Sequence, residues 1–160
     1  MESLFKYVTE QYEAVRASRQ VLLEYCETIF ETDFINENSS FGRGGSVRNL
    51  LVHIANVYEV WIAKNGLNKN ISFTDYQTMK NISDIIDLFE SVDIFMYEFI
   101  KSFQFAGTEQ INYEKNGTSN SISRLKLFTH VITHEFHHKG QILSISRHLG
   151  YIPVDTDIIR

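Results

Sequence analysis

Hydrophobic residues recur at steps of three and four along four long segments of the chain, the spacing typical of amphipathic helices. A serine that can cap a helix N-terminus precedes three of these segments. The four predicted helices are Leu4–Phe30, Ser46 to about Lys64, about Ser83 to Phe103, and Ser121 or Ser123 to Leu149.

The segments between these predicted helices are polar and contain the residues that favour turns. Residues 31–46 (ETDFINENSSFGRGGS) and 65–81 (NGLNKNISFTDYQTMKN) are predicted connections, the second with room for one short helical turn. Asn116-Gly117 predicts a small hairpin between the third and fourth helices, and Gly150 with Pro153 ends the fourth. The pattern therefore predicts an all-α fold: one domain over residues 1–160, built as an up-down-up-down four-helix bundle with at most a minor hairpin.

Composition narrows the functional classes. The chain has 160 residues, 43% of them hydrophobic, which is typical of a globular domain. Its net charge of -5 disfavours nucleic acid as a partner, and no apolar run approaches the length of a membrane span. Cys26 is the single cysteine, so no intrachain disulfide can form, and we expect a reducing, cytoplasmic setting.

Two histidines lie on the apolar face of the fourth predicted helix. His134 and His138 fall on a face shared with apolar residues: Leu127, Val131, Ile142, Ile145 and Leu149. A buried imidazole without a partner costs about 1–3 kcal/mol, so a pair one turn apart needs compensation. A divalent metal ion can provide it, because imidazoles at i and i+4 can converge on one ion. The alternative is that each ring is hydrogen-bonded to a buried acid or carbonyl. His130, His137 and His148 lie towards the flank of this face and are predicted to be surface or supporting groups.

A metal ion between helices needs a third ligand from another helix. His53, at the border of the second helix's apolar face, is the one histidine outside the fourth helix, although a carboxylate could also serve. Three neutral imidazoles leave coordination positions open for water or substrate, as in catalytic sites. Zn, Ni, Fe and Mn all accept such ligands, and the sequence does not select among them.

Two segments carry a family resemblance: residues 46–61 (SVRNLLVHIANVYEVW) and 130–142 (HVITHEFHHKGQI). They resemble the DinB/YfiT-like family, whose pattern places one histidine on the second helix and H-x-x-x-H followed by Arg/Lys-Gly-Gln on the fourth. The matching residues here are His53, His134 and His138, with Lys139 standing where arginine is commoner. The resemblance implies a four-helix bundle with a three-histidine metal site, often dimeric. It also implies metal-dependent chemistry on a small molecule, as in thiol-dependent S-transferases and an isomerase, with a low-molecular-weight thiol as a possible cosubstrate.

Two other functions fit the same residues. Residues 134–138 match H-E-x-x-H, the signature of zinc proteases in which Glu135 would be the general base, but only 22 residues follow His138 and convincing strands are missing. Alternatively, the chain is a non-catalytic stress protein that binds a metal or small ligand.

Several residues are weaker candidates for roles near the site or at an interface. Cys26 is a potential nucleophile on an apolar face, Glu135 or His137 could shuttle protons, and Asn56 could orient a ligand. A second apolar band on the fourth helix predicts a homodimer. Its residues are Leu125, Ile132, Phe136 and Leu143.

Overall fold

The fold is mostly helical in a computed structural model that describes residues 2–39, 45–105 and 109–160. Its α-helices are α1 (Glu2–Cys26), α2 (Glu31–Phe34), α3 (Val47–Tyr58), α4 (Ile82–Lys101) and α5 (Arg124–His148). Three shorter helices are a π-helix over Glu59–Gly66 and 3₁₀ turns over Tyr76–Thr78 and Ser102–Gln104; the strands are β1 (Gln110–Lys115) and β2 (Thr118–Ser123). The predicted predominance of helix is confirmed.

One hydrophobic core joins the four long helices. Helix α3 packs against α4 and α5, and α1 packs against the same two helices. The largest fully buried side chains include Tyr12, Tyr58, Phe99, Phe103 and Phe128, which come from all four long helices and the turn after α4. None of the described helices is long and apolar enough to cross a membrane.

The helix N-termini follow local capping chemistry. The Ser46 hydroxyl accepts a hydrogen bond from the Asn49 backbone N–H at 3.0 Å, so the predicted cap of α3 is confirmed. Helix α4, however, is capped by Asn81 and not by Ser83. The Asn81 side chain accepts from the Asp84 N–H, and the Asp84 carboxylate accepts from the Asn81 N–H, which satisfies two helix-end donors at once.

The first helix is shorter than predicted. It ends at Cys26, because the next backbone bonds tighten into a turn: Thr28 N–H donates to Tyr25 O at 3.0 Å and Ile29 N–H to Cys26 O at 3.1 Å. The short helix α2 then occupies the start of the predicted connection and buries Phe34. Residues 40–44 of that connection lie outside the described residues.

Helix α3 continues without a break into the π-helix, where the sequence predicts α-helix to about Lys64. A π-helix has i→i+5 hydrogen bonds and turns less per residue than an α-helix, and such segments occur frequently at functional sites. The π-helix ends at Gly66, where an added Cβ would lie 2.8 Å from Cε2 of Phe99 on α4. The close approach of α4 therefore requires glycine at this position.

The predicted hairpin is confirmed. Strands β1 and β2 pair antiparallel from Gln110↔Ser123 to Lys115↔Thr118. Asn116 and Gly117 form the turn with φ of 53° and 73°, the two positive values that a tight hairpin turn requires. Helix α5 follows at once, because the Ser123 hydroxyl accepts from the Lys126 N–H and caps it.

Candidate metal centre

The structure brings together the three histidines singled out in the sequence. His53 projects from α3, while His134 and His138 are one turn apart on α5, and one ring nitrogen from each lies within 4.8 Å of the others. Their ring centroids are 4.5–5.1 Å apart. His53 and His134 are half-buried and His138 is buried. Because α3 and α5 pack directly on each other, imidazoles from two helices converge on one point.

The orientation of His138 is set by Gln141. The His138 Nδ1–H donates to Oε1 of Gln141 at 2.6 Å, so the Nε2 atom carries the lone pair of the neutral ring. That Nε2 lies 3.3 Å from Nε2 of His134. Metal-binding histidines generally use the second ring nitrogen for a hydrogen bond of this kind, which fixes the tautomer. Gln141 therefore holds His138 in a form that can bind a metal ion.

His134 is prepared as a ligand by its surroundings. Burial, followed by the charges of neighbouring histidines, lowers its pKa to about 4, so the ring is neutral near pH 7, as metal binding requires. Its Nδ1 is buried and has no hydrogen-bond partner within the described parts of the chain. The three residues thus have the donor chemistry and convergence that a divalent ion needs, and His134 has the required protonation state.

The other histidines of α5 are exposed, and two of them, His130 and His137, border this cluster. His130 packs edge-on against Trp61 at 5.3 Å and lies 5.8 Å from the His134 ring, between centroids. Burial lowers the pKa of His130. His137 lies 3.3 Å from the amide nitrogen of Gln141, and His148 bonds to the backbone O of Ser144.

Glu135 is a buried counter-ion. Its side chain is fully buried, and its carboxylate accepts hydrogen bonds from Tyr58 at 2.6 Å and from Arg19 at 2.9 and 3.1 Å. The Lys139 ammonium completes the set at 2.9 Å. Although burial opposes ionisation, the adjacent Arg19 and Lys139 charges lower the Glu135 pKa to about 2. A carboxylate so engaged does not serve as a general base or proton shuttle, which argues against the zinc-protease alternative.

Charged and hydroxyl groups extend this cluster across the core. Arg19 also donates to Asp93 at 2.7 Å, and Tyr12 donates to the same carboxylate oxygen at 2.6 Å. Lys139 donates to the Ser18 hydroxyl at 2.8 Å. This charged cluster was not among the sequence predictions. The sequence feature that could have predicted it is Arg19, a charged residue on the apolar face of α1, four residues after Val15 and three before Leu22.

Cys26 and Asn56, two further candidates from the sequence, have structural roles. Cys26 is 1% exposed, and burial raises its pKa to about 12, so it is a core residue with a protonated thiol. The Asn56 side chain is bound to the backbone of Thr74, donating to its O at 2.9 Å and accepting from its N–H at 3.0 Å. Asn56 therefore anchors the loop that follows the π-helix.

Comparison with known proteins identifies the family of this chain. The chain is 30% identical over 126 residues to YizA of Bacillus subtilis, an uncharacterized protein, and the match covers 73% of this chain and 75% of YizA. The model of the DinB family matches residues 2–160, which include all three clustered histidines. The chain therefore belongs to the DinB family.

Proposed function

We propose that this protein binds a divalent metal ion through His53, His134 and His138 and uses it in an enzymatic reaction on a small molecule. The single observation that carries the proposal is that three ring nitrogens, contributed by two packed helices, lie within 4.8 Å of one another. The lowered pKa of His134 and the hydrogen bond that orients His138 support it, since both favour neutral, correctly directed ligands.

The proposed reaction class is thiol transfer or a related substitution. A divalent ion held by three imidazoles retains open coordination positions and acts as a Lewis acid that lowers the pKa of a bound thiol or water. The protein's own residues would fix the ion's position: His53 from α3, the histidine pair from α5, and Gln141 through its bond to His138. Zn, Ni, Fe and Mn are all compatible with this donor set. A low-molecular-weight thiol is the proposed cosubstrate.

Calorimetric titration with Zn²⁺ tests the metal site. The wild-type protein should bind one ion, and His53→Ala should lose affinity about as severely as His134→Ala or His138→Ala, because each removes one of three ligands. His148→Ala is the matched control: it lies on the same helix, is exposed, and bonds only to the backbone of Ser144 within the described chain. Unchanged binding by His53→Ala would show that the three-histidine site is wrong.

Turnover separates an enzyme from the alternative, a non-catalytic metal or ligand binder. The metal-loaded protein should accelerate the reaction of a small thiol such as cysteine with an electrophile such as monobromobimane. His53→Ala should remove the acceleration. Stoichiometric metal binding without acceleration for any of several thiols would favour the binder.

We also propose that the four long helices form an up-down-up-down bundle and that two copies associate. The contacts of α1 and α3 with both α4 and α5 support the bundle.

For the dimer, the support is the second apolar band of α5: Leu125 is 38% exposed, and Ile132, Phe136 and Leu143 are only partly buried. Sedimentation should give a dimer for the wild type and a monomer for Leu125→Glu.

A further inference from the structure

A cavity of about 180 Å³ borders the metal centre on the α3 side. Four of its lining residues follow one face of α3: Asn49, Val52, His53 and Asn56. The fifth is Tyr76, from the 3₁₀ turn in the loop between the π-helix and α4. His53 is thus shared by the cavity and the histidine cluster, so a molecule in the cavity would lie next to the centre.

The loop that carries Tyr76 is held in place by two side chains of the α3 and π-helix segment. The Asn56 amide pairs with both backbone groups of Thr74, at 2.9 and 3.0 Å. The buried Glu59 carboxylate accepts from the Thr74 N–H and hydroxyl at 3.3 and 3.2 Å. Asp75 then caps the 3₁₀ turn by accepting from the Gln77 N–H. The wall formed by Tyr76 is therefore positioned before any ligand binds.

The amides that line the cavity are already engaged by the protein. The Asn49 amide donates to Glu37 at 2.8 Å and accepts from Arg48 at 3.0 Å, and the Asn56 amide is bound to Thr74. Arg48 also lies 5.4 Å from the centre of the Tyr76 ring. Among the described residues, no hydrogen-bond partner contacts the Tyr76 hydroxyl. The rest of the lining is the Val52 side chain, the Tyr76 phenol and His53, which the cavity shares with the histidine cluster.

From this lining we propose that the cavity receives an apolar, ring-sized part of the substrate, and that Tyr76 is a specificity-determining residue. The volume supports one ring, since a cavity of about 150 Å³ in another protein holds benzene. The aromatic wall and the engaged amides favour a flat apolar group over a charged or highly hydroxylated one. That the occupant is the substrate rests on the proposed function, because His53 connects the cavity to the metal centre.

Titration with phenol, followed by amide NMR shifts in metal-free and Zn²⁺-loaded protein, tests the assignment. We expect saturable shifts at Val52, Asn56 and Tyr76, and none with glycerol. Tyr76→Ala should weaken phenol affinity about three- to tenfold, the worth of one ring contact, whereas Tyr76→Phe should keep most of it. Phe73→Ala is the matched control, because Phe73 is an exposed ring on the same loop that does not line the cavity.

The outcomes separate this inference from the metal proposal. Phenol shifts that are absent, that fall elsewhere, or that are as strong in Tyr76→Ala as in wild type would overturn the cavity assignment. This holds even if Zn²⁺ binds normally. Phenol binding at the cavity with no binding of Zn²⁺, Ni²⁺, Fe²⁺ or Mn²⁺ would instead support the ring site and overturn the proposed function. The metal-free sample keeps the two results independent.

Discussion

The Nδ1–H of His138 and Oε1 of Gln141 are joined by a hydrogen bond of 2.6 Å, three residues apart on α5. Hydrogen bonds to a metal-binding histidine are worth about 10–100-fold in metal affinity. Gln141→Leu should therefore weaken Zn²⁺ binding by about that factor, because the His138 ring loses its orientation and preferred tautomer. Gln141→Glu, which keeps an acceptor oxygen, should retain most of the affinity. Equal affinity of Gln141→Leu and wild type in calorimetry would contradict this role.

Glu135 should matter for stability and not for chemistry. Glu135→Gln removes the carboxylate that Arg19 and Lys139 share, which leaves Arg19 with Asp93 alone and Lys139 without an anion, so we expect a loss of about 3–5 kcal/mol in the free energy of unfolding. Glu10→Gln is the control: its carboxylate is exposed and pairs only with Lys6 among the described residues, so the change should stay within about 0.5 kcal/mol. Urea unfolding measures both. A stable Glu135→Gln protein that had lost only peptide hydrolysis would restore the protease interpretation.

Stability at alkaline pH should reflect the buried thiol of Cys26. Burial raises its pKa to about 12, whereas the unfolded thiol titrates near ~8.5, so the folded state holds the proton more tightly. This contribution is complete below about pH 8.5 and is lost as pH rises towards 12. Between about pH 9 and 10, wild type should lose up to about 1.4 kcal/mol per pH unit relative to Cys26→Ala. Parallel pH profiles for the two proteins would contradict the assignment.

The end of the π-helix should not tolerate a larger residue. Gly66→Ala places a Cβ 2.8 Å from Cε2 of Phe99, so overpacking should cost about 1–3 kcal/mol of unfolding free energy. Gly140→Ala is the matched change in α5, where no described atom beyond the adjoining residues and helix backbone lies within 4 Å of the new Cβ. It should stabilise the protein by up to about 1 kcal/mol through helix propensity. Equal thermal shifts for the two variants would mean that the close contact is unimportant.

The fluorescence of Trp61 should report metal binding. Trp61 is the only tryptophan, and its ring lies 5.3 Å from His130, which in turn lies 5.8 Å from His134, between centroids. Ni²⁺ or Co²⁺, with partly filled d shells, should quench this emission strongly, whereas d¹⁰ Zn²⁺ should compete without quenching. His53→Ala should shift the quenching to higher Ni²⁺ concentration. Quenching that is identical in His53→Ala would place the ion elsewhere.

The features that local patterns predict well are those set by neighbours along the chain. The Ser46 and Ser123 caps, the Asn116-Gly117 turn and the positive φ of Gly150 each follow from two to four consecutive residues. The same kind of signal was present at the start of α4. Asn81 followed by Asp84 forms a reciprocal cap, and it prevails over Ser83 because it satisfies two donors.

The features that were missed depend on contacts between distant segments. The change from α- to π-helix after Tyr58 accompanies the close approach of α4 at Gly66, which the spacing of apolar residues does not encode. The clustering of His134 and His138, in contrast, could be predicted from one helix face. The structural role of Glu135 within the H-E-x-x-H pattern could not be predicted, because it depends on Arg19, 116 residues earlier.

The charged cluster around Glu135 has a consequence for the alignment of the helices along their axes. Arg19 comes from α1, Tyr58 from α3, Asp93 from α4, and Glu135 from α5, so every long helix contributes at least one partner. Apolar faces alone tolerate a slide of one turn, about 5.4 Å, because leucine-like side chains are interchangeable there. The same slide would leave a buried guanidinium or carboxylate without its partner. The cluster thus selects a single axial offset between α3 and α5, the offset at which His53 stands level with His134 and His138.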